Sequence, residues 1–154
     1  MKNIAIFPGS FDPFTVGHES IVRRAIPLFD QIIVAIGYNS AKSGYFSLEK
    51  RKNWIEDIFR NDSSVVVDTY EGLTTNFCKL KNAKYILRGL RTAADFEYER
   101  AIAQMNKMIE IDLETVFILT KPEHSFISST IVREVIRYGG DASKFVPKEI
   151  DLNA

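Results

Sequence analysis

One cysteine, two histidines and no surplus of either charge close off several kinds of function at the outset. The lone Cys78 cannot form an internal disulfide, and its place between Phe77 and Leu80 on a predicted helix face reads as packing, not as redox or nucleophilic chemistry. Lys plus Arg equals Asp plus Glu, so the formal net charge is zero. That balance removes the long-range pull toward nucleic acid or anionic lipid, and a basic site must be a local pocket suited to small anions. No window approaches the roughly 20 apolar residues that span a bilayer, and the opening MKNIAIFPGS has no apolar stretch long enough for a signal peptide. The expectation is a cytoplasmic protein that binds neither membrane nor nucleic acid. Linkers, repeats and low-complexity segments are also missing, so residues 1–154 are expected to form one domain. A hydrophobic content of 45% supports an ordinary buried core for that domain.

What is present is an alternation of strands and helices. Asn3 to Pro8 reads as a short buried strand that stops at the turn-rich Gly9-Ser10-Phe11-Asp12-Pro13. A helix is predicted from about Gly17, with Ile21, Val22, Ala25, Ile26 and Phe29 at helical spacing until Pro27 kinks or ends it. Gln31 to Gly37 is a second strand, apolar along its length as in a parallel sheet covered on both faces. Ser47 can cap a helix through Phe59. Ser64 to Asp68 is a third strand, Leu73 to Lys81 a helix, Tyr85 to Leu87 a short fourth strand, Ala93 to Ile109 a long helix and Thr115 to Leu119 a fifth strand. Ser128 or Ser129 caps a last helix, which Gly139-Gly140 ends. This pattern predicts an α/β fold with a doubly wound, five-stranded parallel sheet and right-handed crossovers. Ligands of such sheets bind at the carboxyl ends of the strands near the switch in strand order. The rule selects four loops: Pro8 to Gly17, Tyr38 to Phe46, Arg88 to Ala93, and Thr120 to Ser128.

Both histidines fall in or beside these loops. His18 lies in the first turn of a helix, where free N–H groups and the helix dipole favour an anion, and its imidazole can donate to phosphate oxygens or simply help cap the helix. Gly17 leaves room for a phosphate to approach the backbone, and Ser10 and Phe11 add N–H groups, with a hydroxyl from Ser10. Arg88 and Arg91 place two permanent charges around Gly89, an arrangement suited to clamping phosphates. Arg91 can instead pair with Asp95 one turn away. Ser128, Ser129 and Thr130 offer more hydroxyls at a helix N-terminus than capping requires. Met105 and Met108, with Ile102 and Ile109, read as core or as a subunit interface.

The segment GSFDPFTVGH, Gly9 to His18, resembles the (Thr/His)-x-Gly-His signature of the nucleotidyltransferase superfamily, and it follows a strand and opens a helix as that signature requires. Neither a Walker A loop nor a dinucleotide fingerprint has the right spacing here. Ile86 to Arg91 with Asp95-Phe96-Glu97-Tyr98-Glu99 is similar to the Arg-Gly-Leu-Arg and Phe-Glu-Tyr-Glu stretches of the phosphopantetheine adenylyltransferase family. Lys42 occupies that family's loop lysine position, and Ser125 to Thr130 is similar to its Ile-Ser-Ser-Ser/Thr motif.

The resemblance implies a Rossmann-like nucleotidyltransferase fold. It further implies transfer of AMP from ATP to 4′-phosphopantetheine, giving dephospho-coenzyme A and pyrophosphate in the penultimate step of coenzyme A synthesis. His18, Lys42 and Arg91 are then expected to be catalytic, and Ser10, Lys42, Thr74 and Arg88 to hold the acceptor. ATP is assigned to Ser10, Phe11, His18, Gly89, Leu90, Arg91, Glu99 and the run His124, Ser125, Phe126, Ile127, Ser128, Ser129 and Thr130. Magnesium (Mg2+) is expected to be held through ATP phosphates and water, with no protein metal cage, and the family's assembly implies a homohexamer. Three features depart from the family pattern: Ser10 stands where threonine is common, the loop from Asn39 to Gly44 lacks a second lysine or proline beside Lys42, and the chain stops soon after Pro147-Lys148-Glu149-Ile150. Two rivals stay open, another nucleotidyltransferase such as a cytidylyltransferase and a nucleotide sensor without turnover.

Overall fold

In the computed structural model, which describes residues 1–154, Ile4–Gly9 (β1) lies at the centre of a parallel sheet. Gln31–Gly37 (β2) pairs on one side of it and Tyr85–Leu90 (β4) on the other. Val65–Tyr70 (β3) extends the sheet beyond β2, and Glu114–Leu119 (β5) extends it beyond β4. The order β3-β2-β1-β4-β5 is doubly wound. The chain therefore reverses direction across the sheet between β1 and β4, and a crevice opens at the carboxyl ends of those two strands. No helix is long and apolar enough to cross a membrane.

The helices follow from local chemistry. Val16–Ala25 (α1) begins at Thr15, whose side chain accepts from the His18 N–H while the His18 ring accepts from the Thr15 N–H. This capping box is completed by a histidine in place of the usual Glu or Gln. Pro27 ends the helix, and Ile26–Leu28 continues only as a 3₁₀ turn. Ser47 caps Leu48–Ile58 (α2), and Thr92 caps Ala93–Ile109 (α4) through a box with Asp95. Between them lies Thr74–Leu80 (α3). Ser128 caps Ser129–Arg137 (α5), which closes on Gly139 at φ 77, with the Gly140 N–H returning to the Val135 carbonyl at 2.8 Å.

Two strands depart most from the sequence reading, the others shifting by at most a residue. β4 runs three residues past Leu87, so Arg88, Gly89 and Leu90 are strand residues paired with Phe117, Ile118 and Leu119. A charge and a glycine broke the apolar run, but ladder bonds to β5 carry the strand through them. β3 begins one residue later and ends two later than expected, because its pairing with β2 continues to Tyr70.

The larger core lies on one face, where Ile21, Val22, Trp54, Ile55, Phe59 and Val132 from α1, α2 and α5 pack on Ala5, Phe7, Ile32, Val34 and Leu87. The smaller core on the other face includes Ile6, Ile33, Phe77, Cys78 and Ile86. Cys78 is fully buried there, and burial pushes its thiol up to about 12, so it packs and does not react. On α4 only Glu99 is buried, whereas Met105, Met108 and Ile109 face outward. The two methionines therefore do not belong to this chain's core.

Candidate active site

A cleft of about 420 Å³ occupies the crevice at the switch between β1 and β4. Its floor is the turn after β1. Phe11 holds a left-handed backbone at φ 47 and lays its ring over Gly9, where a Cβ would sit 2.9 Å from the ring. His18 stands beside it at the start of α1, boxed by Phe7, Phe11 and Phe14 with ring centroids 6.2, 5.0 and 5.2 Å away.

The hydrogen bonds of His18 determine its chemistry. The Thr15 N–H can only donate, and it lies 3.0 Å from His18 Nδ1, so Nδ1 is the acceptor and the ring proton sits on Nε2. Burial, reinforced by the positive charges of Arg88 and Arg91, lowers the imidazole pKa to about 3. His18 is therefore a neutral hydrogen-bond donor through Nε2 at physiological pH, and neither a base nor a permanent cation.

Arg88 reaches the cleft from within β4. Its Nε and Nη2 donate to the two carboxylate oxygens of Glu99 at 3.0 and 2.6 Å, and its Nη1 donates to the Pro8 carbonyl at 2.6 Å. Three bonds fix the guanidinium at the seam between β1 and β4 and leave further N–H groups for a ligand. Arg91 is held far less tightly. Its Nε lies 3.6 Å from Asp95, whose carboxylate is already taken up by the Arg91 and Thr92 backbone N–H groups.

The opposite wall is the N-terminus of α5. Ser128 caps the Ile131 N–H, Ser129 Oγ donates to the Pro13 carbonyl at 2.8 Å, and Thr130 Oγ1 accepts from Arg133. The surplus hydroxyls thus have structural partners, and the anion-binding capacity of this wall rests on the unpaired first-turn N–H groups. His124 Nδ1 is buried with no hydrogen-bond partner in the same wall. Two helix N-termini, two arginines and a neutral imidazole donor face one space, which suits a polyanion whose charge changes during reaction.

A smaller cavity of about 200 Å³ opens behind Arg88 and Glu99, which line both spaces. Thr74, Tyr70, Ile102, Ala103 and Asn106 enclose it, and the Tyr70 hydroxyl pairs with Thr74 Oγ1 at 2.8 Å. Two ligands can thus meet across Arg88.

Comparison with known proteins gives the same picture. The Cytidylyltransferase-like family model matches residues 6–135. The chain is 56% identical to the phosphopantetheine adenylyltransferase of Flavobacterium psychrophilum, covering 95% of this chain and 96% of that one. It is 50% identical to that of Cytophaga hutchinsonii, over 97% of this chain and 100% of the other. The chain belongs to the phosphopantetheine adenylyltransferase family. Solved structures agree on the fold. A putative nicotinate-nucleotide adenylyltransferase from Vibrio parahaemolyticus superposes with TM-score 0.68 at 20% identity, covering 97% of this chain and 96% of that one. A bifunctional NMN adenylyltransferase/ADP ribose pyrophosphatase from Francisella tularensis superposes with TM-score 0.70 at 18% identity, covering 95% of this chain and 44% of that one.

Of the residues singled out by likeness to the family, Ser10, Phe11, His18, Gly89, Arg91, His124 and Ile127 to Thr130 line the main cleft. Arg88 and Glu99 line both cavities, and Thr74 lines the smaller one. Four stand apart. Lys42 is exposed on its loop and lines neither cavity. Leu90 is buried in β4, Ser125 Oγ bonds the Pro122 carbonyl, and Phe126 packs edge-on against Phe145. Glu99, assigned to ATP, has one bond from Arg88 on each of its carboxylate oxygens. The sequence reading gave no role to Asp12, Arg51 or Arg133, although a buried aspartate beside proline in a motif loop was a visible signal.

Proposed function

We propose that this cleft carries out the family's reaction, transfer of the adenylyl group of ATP to 4′-phosphopantetheine with release of pyrophosphate, and that Arg88 divides the two substrate sites. The observation that carries the assignment is that Arg88 and Glu99 line both cavities, with two helix N-termini on one side of them and the Thr74 cavity on the other. The triphosphate lies along α1, α5 and Arg91, and the pantetheine arm lies toward Thr74. An oxygen of the acceptor phosphate attacks the α-phosphorus of ATP. As that bond forms, the bond to the bridging oxygen breaks and pyrophosphate leaves. The acceptor phosphate is already ionised near neutral pH, so no protein base is required.

His18 donates Nε2–H to the α-phosphate oxygens, where the contact strengthens as charge develops. Arg88, with Ser10, orients the acceptor phosphate. Lys42 meets the same phosphate when its loop folds over the cleft. Asp95 and Glu99 are the only carboxylates of the main cleft, and both are engaged by other partners. The fitting mode for Mg2+ is as the ATP complex, held by phosphate oxygens and water, where it neutralises charge. The outward apolar face of α4, with Met105, Met108 and Ile109, suits burial between copies, and we assign the chain to the family's homohexameric form and to the cytoplasm.

Pyrophosphate release across a small panel tests the reading. ATP with 4′-phosphopantetheine should react, pantetheine without its phosphate should not, and CTP should fail with either. Preference for CTP would move the chain to another nucleotidyltransferase activity. Silence with every acceptor would favour a sensor.

A further inference from the structure

The loop that carries Lys42 connects β2 to α2, and its two ends are held very differently. At the start, the Ser40 N–H donates to the carboxylate of Glu71, an exposed residue. At the other end, the Asp12 carboxylate accepts the Tyr45 N–H at 2.7 Å and the Phe46 N–H at 2.9 Å, and Asp12 is only 7% exposed. Arg51, 5% exposed and a full turn into α2, donates to the Phe46 carbonyl at 3.1 Å and to the Ser10 carbonyl at 2.7 Å. Phe46 is therefore gripped at both its N–H and its C=O. Both grips lead back to the Ser10–Asp12 turn that floors the nucleotide cleft. Gly44 fits between them only because it has no side chain, since a Cβ would lie 2.9 Å from Asp12 Oδ2 and 3.0 Å from Arg51 Nη2.

These contacts are buried and charge-assisted, the kind that fix geometry. None touches either cavity's ligand space, because neither Asp12 nor Arg51 lines a cavity. Only Ser43 and Gly44 lie between Lys42 and Tyr45, so a fully extended tether of three Cα steps lets the Lys42 backbone range no more than about 10 Å from that anchor. The anchor's position thus determines where the ammonium can arrive.

We propose that Asp12 and Arg51 are positioning residues that clasp the Lys42 loop to the phosphate-binding turn, and so set where Lys42 meets the acceptor phosphate. The inference rests on the reading of Lys42 given above. It assigns the pair no contact with substrate and no proton transfer.

Asp12→Asn keeps the shape but offers one acceptor and one donor to two N–H donors, so one bond is lost and a donor faces a donor. A kinetic double-mutant cycle with Lys42→Ala, using the full chain and pyrophosphate release, tests the clasp. Asp12→Asn alone should lower kcat/KM for 4′-phosphopantetheine roughly ten- to a hundredfold, the scale of a misplaced catalytic group, and shift KM for ATP less than about threefold. In the Lys42→Ala background the same change should cost less than about threefold, because there is no ammonium left to misplace. Arg51→Lys, which keeps the charge but loses the second directed donor, should repeat the pattern and provides an independent route if Asp12→Asn does not fold. Equal losses in both backgrounds would overturn the clasp and leave Asp12 as a general stabiliser. Full activity in Lys42→Ala alone would instead remove the Lys42 reading, and the inference with it.

Discussion

His18→Gln separates two roles that one side chain performs. In the folded chain Nδ1 accepts the Thr15 N–H and completes a capping box, while Nε2–H is left to face the cleft. Gln is one of the residues that ordinarily fills this box position, because its Oε1 reaches back to the cap N–H. The substitution therefore keeps the cap but exchanges the ring-fixed Nε2–H for an amide NH2 on a flexible stem, so the donor is no longer held at that point. Losing one preorganised donor to a developing anion costs about 2.7–4 kcal/mol, or roughly 10²- to 10³-fold in kcat. Stability should change little, by about 1 kcal/mol or less, since the helix start is preserved. His18→Ala loses both functions. It should show the same fall in kcat together with a clear loss of stability, because Thr15 is left unpaired and Phe7, Phe11 and Phe14 lose their central contact. The assays are pyrophosphate release at saturating substrates, ATP titration by calorimetry and urea unfolding. A His18→Gln enzyme within about threefold of the parent kcat would refute the argument, as would a defect confined to ATP affinity.

The same histidine links stability to pH. Its folded pKa of about 3 lies below the ordinary 6.5, so between those values the unfolded chain carries the extra proton and stability falls as the medium is acidified, by up to about 1.4 kcal/mol per pH unit. Urea midpoints at pH 4.5 to 7 should be flatter in His18→Gln, and an unchanged slope would count against a neutral His18. Arg88→Gln should weaken 4′-phosphopantetheine more than ATP in separate titrations. It should also cost about 2–3 kcal/mol of stability by stranding the Glu99 carboxylate, less than for a fully buried pair because Arg88 keeps 31% of its side-chain surface. Lys42→Ala should share the binding defect but not the loss of stability, since the lysine side chain is exposed and outside both cavities.

The fold was legible because the apolar runs of β1 and β2 and the caps at Ser47 and Ser128 each carry a local signal. β4 was misjudged at its end because strand pairing is not local: nothing between Arg88 and Leu90 announces that β5 will bond to them. The cleft was legible where a motif residue sits at a helix start, as His18 and Ser128 do. Roles that depend on contacts distant in sequence were not. Glu99 binds Arg88 eleven residues away, Asp12 holds amides 33 and 34 residues on, and Arg133 reaches the Asp12 carbonyl across 121 residues. Such pairs leave no spacing rule to read. Lys42 shows the reverse case, since family likeness places it in the site while this arrangement of its loop does not.

These contacts also bear on how the proposed active site would tell its two phosphate-bearing substrates from other phosphates. Arg88 is the most firmly held cation, since Glu99 fixes its direction, and its charge still reaches His18, whose pKa it lowers ahead of Arg91. Fewer contacts hold Arg91, 3.6 Å from Asp95, and Lys42, exposed outside the cleft on its loop. On the proposed reading, those charges come fully to bear when ligand phosphates draw the side chains inward. On the same reading a phosphate that arrives without its partner meets fixed donors but incomplete charge, whereas the assembled pair of substrates is expected to recruit both cations to the point where charge develops. On that reading, selectivity for two phosphate-bearing substrates together rests on firm contacts at Arg88 and His18 and few at Arg91 and Lys42.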